Sequence, residues 1–174
     1  TVALNGLSLQ VSKGTVFGLL VPNGAGKTTT IRILSTLLLP TSGKATVAGF
    51  DVASQASEVR KRIGLILGGE RGLYGRLTGR ENLNYFAAIN HLGIVSSRKR
   101  IDEVLRMVNL TEAENRPVEQ YSRGMRQRLH VARGLLTDPE ILFMDEPTIG
   151  LDPVGAQELR AMIPAMIKEG KTVL

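Results

Sequence analysis

A nine-residue segment of the chain combines glycines, a lysine and two threonines in an order suited to binding phosphate. It consists of Val21, Pro22, Asn23, Gly24, Ala25, Gly26, Lys27, Thr28 and Thr29. A glycine-rich turn that leads into a helix points backbone N–H groups into one concavity, and such a concavity binds phosphate. We expect Lys27 to reach the β- and γ-phosphates of a nucleotide and the Thr28 hydroxyl to be one ligand of Mg²⁺.

The first position of this segment departs from the usual phosphate-loop pattern, G-x-x-x-x-G-K-S/T. Val21 stands where the pattern has glycine. A β-branched residue is disfavoured wherever the backbone needs a positive φ or a close approach. The short pattern also occurs by chance in loops, so other residues must support the interpretation.

Two adjacent carboxylates, Asp145 and Glu146, could take part in the same chemistry. They follow the apolar run 141–144, which is predicted as a buried strand. Strand carboxyl ends in a parallel α/β sheet lie at the edge where a phosphate loop also opens. We expect Asp145 to complete the Mg²⁺ ligands, often through water, and Glu146 to polarise the water that attacks the γ-phosphate. By itself, an Asp-Glu pair before proline is more typical of a strand-end turn, and its combination with Lys27 and Thr28 favours catalysis.

A third segment, 121–128, places Ser122 and Gly124 at the start of a helix predicted to run to about Leu136. A capped helix start is a second site for an anion. One nucleotide does not easily occupy both this site and the loop at 21–29, so a nucleotide held between two copies of the protein explains both. The alternative is an ordinary helix N-cap without a ligand.

Strands alternating with helices must position these residues. Strands are predicted at 2–11, 16–20, 44–49, 63–67, 141–144 and 171–174. Helices are predicted at 30–35, 54–62 and 154–168, the last kinked by Pro164. This order predicts an α/β fold with a mostly parallel sheet and helices on both faces.

The stretch from about 79 to 135 is predicted to be a small α-helical subdomain inserted in that core. Apolar residues recur there at helical spacing: Leu83, Phe86, Ala87, Ile101, Val104, Leu105 and Val108. Thr111 and Glu114 have the spacing of a helix capping box. We interpret the apolar stripes as the subdomain's own core.

Composition excludes several kinds of site. The chain has no cysteine, which excludes disulfides, thiolate nucleophiles and Cys-based metal sites. No run of about 18 apolar residues is present, so no membrane-spanning segment is predicted. The formal net charge of +6 comes from scattered basic residues and favours a solvated surface over nucleic-acid binding. His91 and His130 are interpreted as helix-surface or packing residues.

In their order and spacing, four segments make the chain resemble the nucleotide-binding subunit of an ATP-binding-cassette (ABC) transporter. They are the Walker A loop at 21–28, the signature segment at 121–125, the Walker B strand at 141–146 and the D-loop at 148–152. The resemblance covers essentially all 174 residues. It implies one ABC ATPase domain at 1–174 with a P-loop NTPase core, and we expect the sequence to be a fragment truncated at both ends.

The resemblance also implies how the site works. ATP and Mg²⁺ are the cofactors, with ATP held by residues 21–29 of one subunit and by Ser122 and Gly124 of the other. Lys27 and Glu146 are the catalytic residues, Glu146 as general base, and Asp152 couples the two sites. The implied partners are a transmembrane permease subunit and a second nucleotide-binding subunit, identical or different, at the cytoplasmic face of the cell membrane, with no specific nucleic acid.

Finer features are similar to bacterial exporters of drugs, antibiotics or ions, and some depart from the family pattern. The similarity lies in segments 68–74 and 121–125. Gly69 aligns with the family's Q-loop glutamine, with Glu70 as the neighbouring polar residue. Arg123 and Met125 replace a glycine and a glutamine of the usual signature. The family's switch histidine would fall beyond Leu174 and its adenine-stacking aromatic residue before Thr1.

Two alternatives to an exporter ATPase remain. Val21 and Gly69 are compatible with a degenerate or regulatory ABC ATPase with weak hydrolysis. The basic charge is compatible with a DNA-associated ABC ATPase, although residues 30–120 show no sustained heptad pattern of the kind that coiled-coil insertions need.

Overall fold

The computed structural model describes residues 2–22, 24–66 and 72–174. The helices are α1 Lys27–Leu34, α2 Ala56–Arg60, α3 Gly79–Ile89, α4 Ile94–Met107, α5 Arg123–Leu135 and α6 Pro153–Lys168. The strands are β1 Thr46–Val47, β2 Phe50–Asp51, β3 Ile63–Ile66, β4 Ile141–Met144 and β5 Thr172–Val173. Two short 3₁₀ helices, Thr111–Ala113 and Val118–Gln120, precede α5.

A parallel sheet in the order β3-β4-β5 forms the centre of the fold. β3 pairs with β4 from Ile63 opposite Ile141 to Ile66 opposite Met144. Val16 adds a parallel bridge to Val173 at the far side of β5. β1 and β2 form a separate antiparallel hairpin. The chain therefore has the predicted α/β architecture with a parallel sheet.

β4 is covered on both faces, as its unbroken apolar sequence predicts. Leu142 and Met144 belong to a cluster with residues of α3, α4, α5 and α6. Phe143 belongs to a second cluster with residues of α1, β1 and α2. Since neighbouring side chains of a strand point to opposite faces, helices pack on both sides of the sheet. Asp145 and Glu146 therefore directly follow the carboxyl end of a strand that is packed on both faces.

The helical stretch begins with a capping box, but not where the sequence predicts one. The Thr78 side chain accepts a hydrogen bond from the Glu81 N–H, and the Glu81 carboxylate accepts one from the Thr78 N–H. The prediction at Thr111 and Glu114 is wrong: Thr111 starts a three-residue 3₁₀ helix that lacks a side-chain cap. That turn closes through backbone bonds, including Ala113 N–H to the Leu110 carbonyl at 3.1 Å.

The predicted buried strand at 16–20 is also wrong. Val16 is 54% exposed and Leu20 is 91% exposed. Phe17 N–H donates to the Val173 carbonyl at 2.8 Å, but β5 is only two residues long and pairs no further along this segment. Residues 2–11 likewise form no strand in the described part of the chain and are mostly exposed.

Other predicted elements are present with shorter bounds. The strand predicted at 44–49 is reduced to β1, and the helix predicted at 54–62 to α2. Pro164 lies inside α6, and the kink there stays a prediction. Within the described ranges, no helix is both long and apolar enough to cross a membrane.

Candidate nucleotide site

The loop before α1 has the backbone that a phosphate-binding turn requires. Gly24 has φ 81° and Gly26 has φ 94°, a left-handed conformation that favours glycine. A β-carbon at Gly26 would lie 2.8 Å from the Ala3 carbonyl oxygen, so the position has no room for a side chain. Gly26 is the N-cap of α1 and supplies no side-chain acceptor to the first N–H groups of the helix. Helix N-termini of this kind present backbone donors and a positive dipole end to an anion.

Lys27, the first residue of α1, folds back across this loop. Its Nζ donates a hydrogen bond to the Val21 carbonyl oxygen at 2.8 Å. The same Nζ lies 3.9 Å from Glu146 Oε1. The lysine therefore connects the loop with the carboxylate that follows β4.

Val21 is accommodated without the strain that its side chain would meet at positive φ. It is not among the non-glycine residues with positive φ in the described part of the chain. Its contact with Lys27 uses the backbone carbonyl, which any residue supplies. Valine in place of glycine at position 21 therefore leaves the hydrogen bond from Lys27 intact.

Thr28 and Asp145 bring two hard oxygen donors together. Thr28 Oγ1 donates a hydrogen bond to Asp145 Oδ2 at 2.9 Å, across 117 positions of sequence. Hydroxyl and carboxylate oxygens are the donors that Mg²⁺ prefers. The pair joins the loop to the end of β4, and its oxygen atoms fit the ligands that a magnesium ion would need.

Glu146 adopts an unusual backbone conformation, with φ 51°. Its carbonyl accepts a hydrogen bond from the Ile149 N–H at 3.1 Å, which starts a tight turn after β4. The side chain is 46% exposed and is accessible to water. Sequence reasoning identified the carboxylate but not this conformation, because left-handed backbone at a residue other than glycine is rare.

Ser122 and Gly124 lie at the start of α5, as predicted. Ser122 is the N-cap, and its Oγ accepts a hydrogen bond from the Met125 N–H at 3.2 Å. Gly124 packs beside the start of α6, where a β-carbon at Gly155 would lie 3.8 Å from the Gly124 Cα. The helix start has the local geometry of an N-cap, and that geometry is compatible with both readings of the segment.

The remaining candidate residues divide into described and undescribed positions. Asn23 of the loop, Gly69 and Glu70 lie outside the described residues. His91 is exposed in the turn after α3, and His130 is buried in α5 with 1% of its surface exposed. In the described ranges, no group of three or more His, Cys, Asp or Glu side chains could hold a metal ion.

Comparison with known proteins identifies the family. The sequence profile of the family described as "ABC transporter" matches residues 4–149. The chain belongs to the ABC transporter family. This confirms the resemblance drawn from the four segments of the sequence.

Several curated ABC relatives are similar over nearly the whole chain. The daunorubicin resistance ATP-binding protein DrrA3 of Streptomyces coeruleorubidus is 50% identical over 99% of the chain and 54% of its own length. The ABC transporter ATP-binding protein NatA of Bacillus subtilis is 43% identical over 99% of the chain and 70% of its own length. The bacitracin transport ATP-binding protein BcrA of Bacillus licheniformis is 45% identical over 94% of the chain and 52% of its own length. The chain thus spans about half the length of DrrA3 and BcrA.

Solved structures of ABC proteins share the fold. The structure of cbiO1 from Clostridium perfringens, part of the ABC transporter complex cbiONQ, matches with a TM-score of 0.86 and 27% identity. It is matched over 98% of this chain and 70% of that one. A dimeric post-hydrolysis state of an ATP-binding cassette bound to ADP and Pi matches with a TM-score of 0.79, over 98% of this chain and 78% of that one, at 27% identity. The expected P-loop NTPase fold is therefore confirmed.

Proposed function

We propose that this ABC chain is the ATP-binding and ATP-hydrolysing part of a membrane exporter. One observation carries the proposal: the hydrogen bond between Thr28 and Asp145, 2.9 Å long, joins the phosphate loop to the acidic end of β4. The relatives' names support it, since they describe ATP-binding proteins of drug resistance and antibiotic transport. The same names favour an exporter of drugs or antibiotics.

In the proposed mechanism the loop holds the nucleotide and the strand end acts on it. The loop at 21–29 binds the phosphates through backbone N–H groups, and Lys27 binds the β- and γ-phosphates. Thr28 and Asp145 would hold Mg²⁺, which would neutralise negative charge that develops on the phosphate oxygens. Glu146 accepts a proton from the attacking water, and its 46% exposure leaves room for that water.

The site is completed by a second nucleotide-binding subunit. Ser122 and Gly124 of one subunit contact the ATP that is bound at the loop of the other. A structural neighbour is a dimer with ADP and Pi, which supports this arrangement. Asp152, in the turn between β4 and α6, links the two sites across the interface. The second subunit is identical to this chain or a different ABC subunit.

ATP binding and hydrolysis in this dimer drive a permease. ATP shifts the population towards the closed dimer, and hydrolysis reopens it. The partner is a transmembrane permease subunit, and the chain is bound peripherally at the cytoplasmic face of the cell membrane.

Steady-state ATP binding and turnover of the whole protein with Mg²⁺ test the proposal. We expect Lys27→Ala to lose ATP binding, and Glu146→Gln to keep binding while losing turnover by about 100-fold or more, since it removes the general base. Glu140→Gln is the matched control, because Glu140 directly precedes β4, at the opposite end of the strand from Glu146. Wild-type turnover that survives Glu146→Gln unchanged would contradict the assignment, and an inert wild type would contradict hydrolysis itself.

A further inference from the structure

Arg123, the first residue of α5, lies directly on the turn that follows Glu146. A β-carbon at Gly150 would collide with the Arg123 guanidinium, whose Cζ and both terminal nitrogens are its three nearest neighbours. Gly150 has φ +68°. The guanidinium therefore occupies the space that any other residue at position 150 would need for its side chain. A planar guanidinium is suited to lying flat on such a surface.

A second contact fixes the two helix starts beside each other. Gly155 in the first turn of α6 approaches Gly124, with a β-carbon at Gly155 lying 3.8 Å from the Gly124 Cα. Asp152 Oδ1 accepts a hydrogen bond from the Gly155 N–H at 3.2 Å and caps α6. The start of α5 is thus next to both ends of the short segment that joins Gly150 to α6.

The turn under Arg123 is connected to Glu146 through its backbone. The Ile149 N–H donates to the Glu146 carbonyl at 3.1 Å, and the Leu151 N–H donates to the Thr148 carbonyl at 3.1 Å. Gly150 lies between the two donor residues. Displacement of Gly150 therefore acts on the backbone of Glu146, which already has φ 51°.

We propose that Arg123 is a positioning residue, which holds the turn at 146–152 against the start of α5 and so fixes the orientation of Glu146. The proposal rests on the proposed function. In the dimer, Ser122 and Gly124 face the partner's nucleotide, whereas Glu146 faces the nucleotide of its own subunit. Arg123 lies between these groups within one subunit. A change at the nucleotide site that contacts Ser122 and Gly124 is therefore transmitted through Arg123 to Glu146 at the other nucleotide site.

Amide hydrogen exchange of the whole protein without nucleotide tests the contact independently of catalysis. We expect Arg123→Ala to speed exchange at Ile149 and Leu151 by about fivefold or more, because their hydrogen bonds close the turn that Arg123 covers. Unchanged exchange at both amides would overturn the proposal. This result does not depend on whether the protein hydrolyses ATP.

A double-mutant cycle between Arg123 and Gly150 tests the effect on turnover. In the wild-type background, Gly150→Ala both displaces the guanidinium and strains a positive φ, whereas with Arg123→Ala only the strain remains. We expect Gly150→Ala to lower kcat by about tenfold in the first background and by less than about twofold in the second, with the KM for ATP nearly unchanged. Arg123→Lys should hydrolyse ATP no faster than Arg123→Ala, because a lysine lacks the planar group.

Gly170→Ala is the matched control for this cycle. Gly170 has φ +79° like Gly150, but a β-carbon there would meet nothing within 4 Å. We expect Gly170→Ala to have the same effect with and without Arg123→Ala. Equal effects of Gly150→Ala in the two backgrounds would overturn the proposal, whereas an inert wild type with altered exchange would overturn only the proposed function.

Discussion

At the level of single residues, Val21 contributes to the phosphate loop through its backbone carbonyl rather than through its side chain. The Val21 carbonyl receives Lys27 Nζ at 2.8 Å, and that contact does not depend on the residue type. Val21 has no positive φ that a glycine would relieve. The departure from the family pattern therefore does not indicate a degenerate phosphate loop.

Replacement of Val21 by glycine tests this interpretation. We expect Val21→Gly to leave the Kd for ATP within about twofold of the wild-type value, because no strained backbone is relaxed and the lysine contact stays. The Kd is measured by nucleotide titration of the whole protein. An affinity that rises tenfold or more would instead favour the degenerate or regulatory cassette.

The residue types of the site follow from the sequence, but their conformations do not. The sequence predicts four site residues by their type and spacing, and the structure brings them together: Lys27, Thr28, Asp145 and Glu146. The left-handed φ of Glu146 could not be predicted, because local sequence rarely determines that conformation for a residue other than glycine.

At the level of elements, two segments with the same capping pattern form different structures. Thr78 and Glu81 form a reciprocal capping box at the start of α3, an eleven-residue helix. Thr111 and Glu114 have the same spacing, but Thr111 is the first residue of a three-residue 3₁₀ helix without a side-chain cap, and Glu114 follows that helix. The pattern alone cannot distinguish them, because it does not report the length of the helix that follows.

Matched threonine substitutions test the difference. We expect Thr78→Ala to lower the free energy of unfolding by about 1 kcal/mol, the usual contribution of an N-cap side chain. Thr111→Ala should change it by less than about 0.5 kcal/mol, as for an ordinary surface position. Urea denaturation of the two variants measures both values, and equal losses would contradict the capping assignment.

Whether an apolar run forms the predicted strand depends on whether neighbouring strands are available to pair with it. The apolar run that forms β4 has β3 on one side and β5 on the other, and the prediction there is confirmed. The apolar run at 16–20 is just as suited to a strand by sequence, yet within the described residues its one bridge to a strand is that of Val16 to Val173 in the two-residue β5. Sequence periodicity reports how a strand could be buried, whereas pairing depends on residues far away in the chain.

At the level of the whole molecule, one carboxylate joins three parts of the fold. Asp138, in the connection from α5 to β4, accepts a hydrogen bond from Lys171 Nζ at 2.6 Å and lies 3.0 Å from Arg100 in α4. The Lys171 side chain is only 7% exposed, whereas that of Asp138 is 67% exposed. The hydrogen bond from Lys171 is the main reason that the pKa of Asp138 lies below its usual value of 3.8.

Asp138→Asn tests this junction. Asp138 has φ 53°, and asparagine tolerates a positive φ as aspartate does, so the substitution keeps the backbone conformation. We expect a loss of about 1–2 kcal/mol in the free energy of unfolding at pH 7, a value reduced for the exposure of the carboxylate. Because the pKa of Asp138 is lowered by folding, its contribution is present above the unfolded pKa and is lost as the pH falls through the folded pKa. The difference between variant and wild type should therefore disappear at strongly acidic pH.

Glu140→Gln serves as the control for this prediction in the same denaturation series. Glu140 pairs with Lys13, whose side chain is 77% exposed, and lies 3.5 Å from Arg62 Nε. The Glu140 side chain is itself 44% exposed, so its replacement should change the free energy of unfolding by less than about 1 kcal/mol. A difference for Asp138→Asn that stays constant down to pH 2 would show that ionisation of this carboxylate does not stabilise the fold.

In the proposed dimer, the phosphate loop of one subunit and the α5 start of another enclose the same ATP. The most direct measurement is the molar mass in solution of the Glu146→Gln subunit, alone or mixed with the second nucleotide-binding subunit of its transporter. A two-subunit species should form only with Mg²⁺ and ATP, and adding Lys27→Ala should abolish it. A protein that binds ATP to saturation and keeps the mass of a single subunit in both preparations would contradict this arrangement.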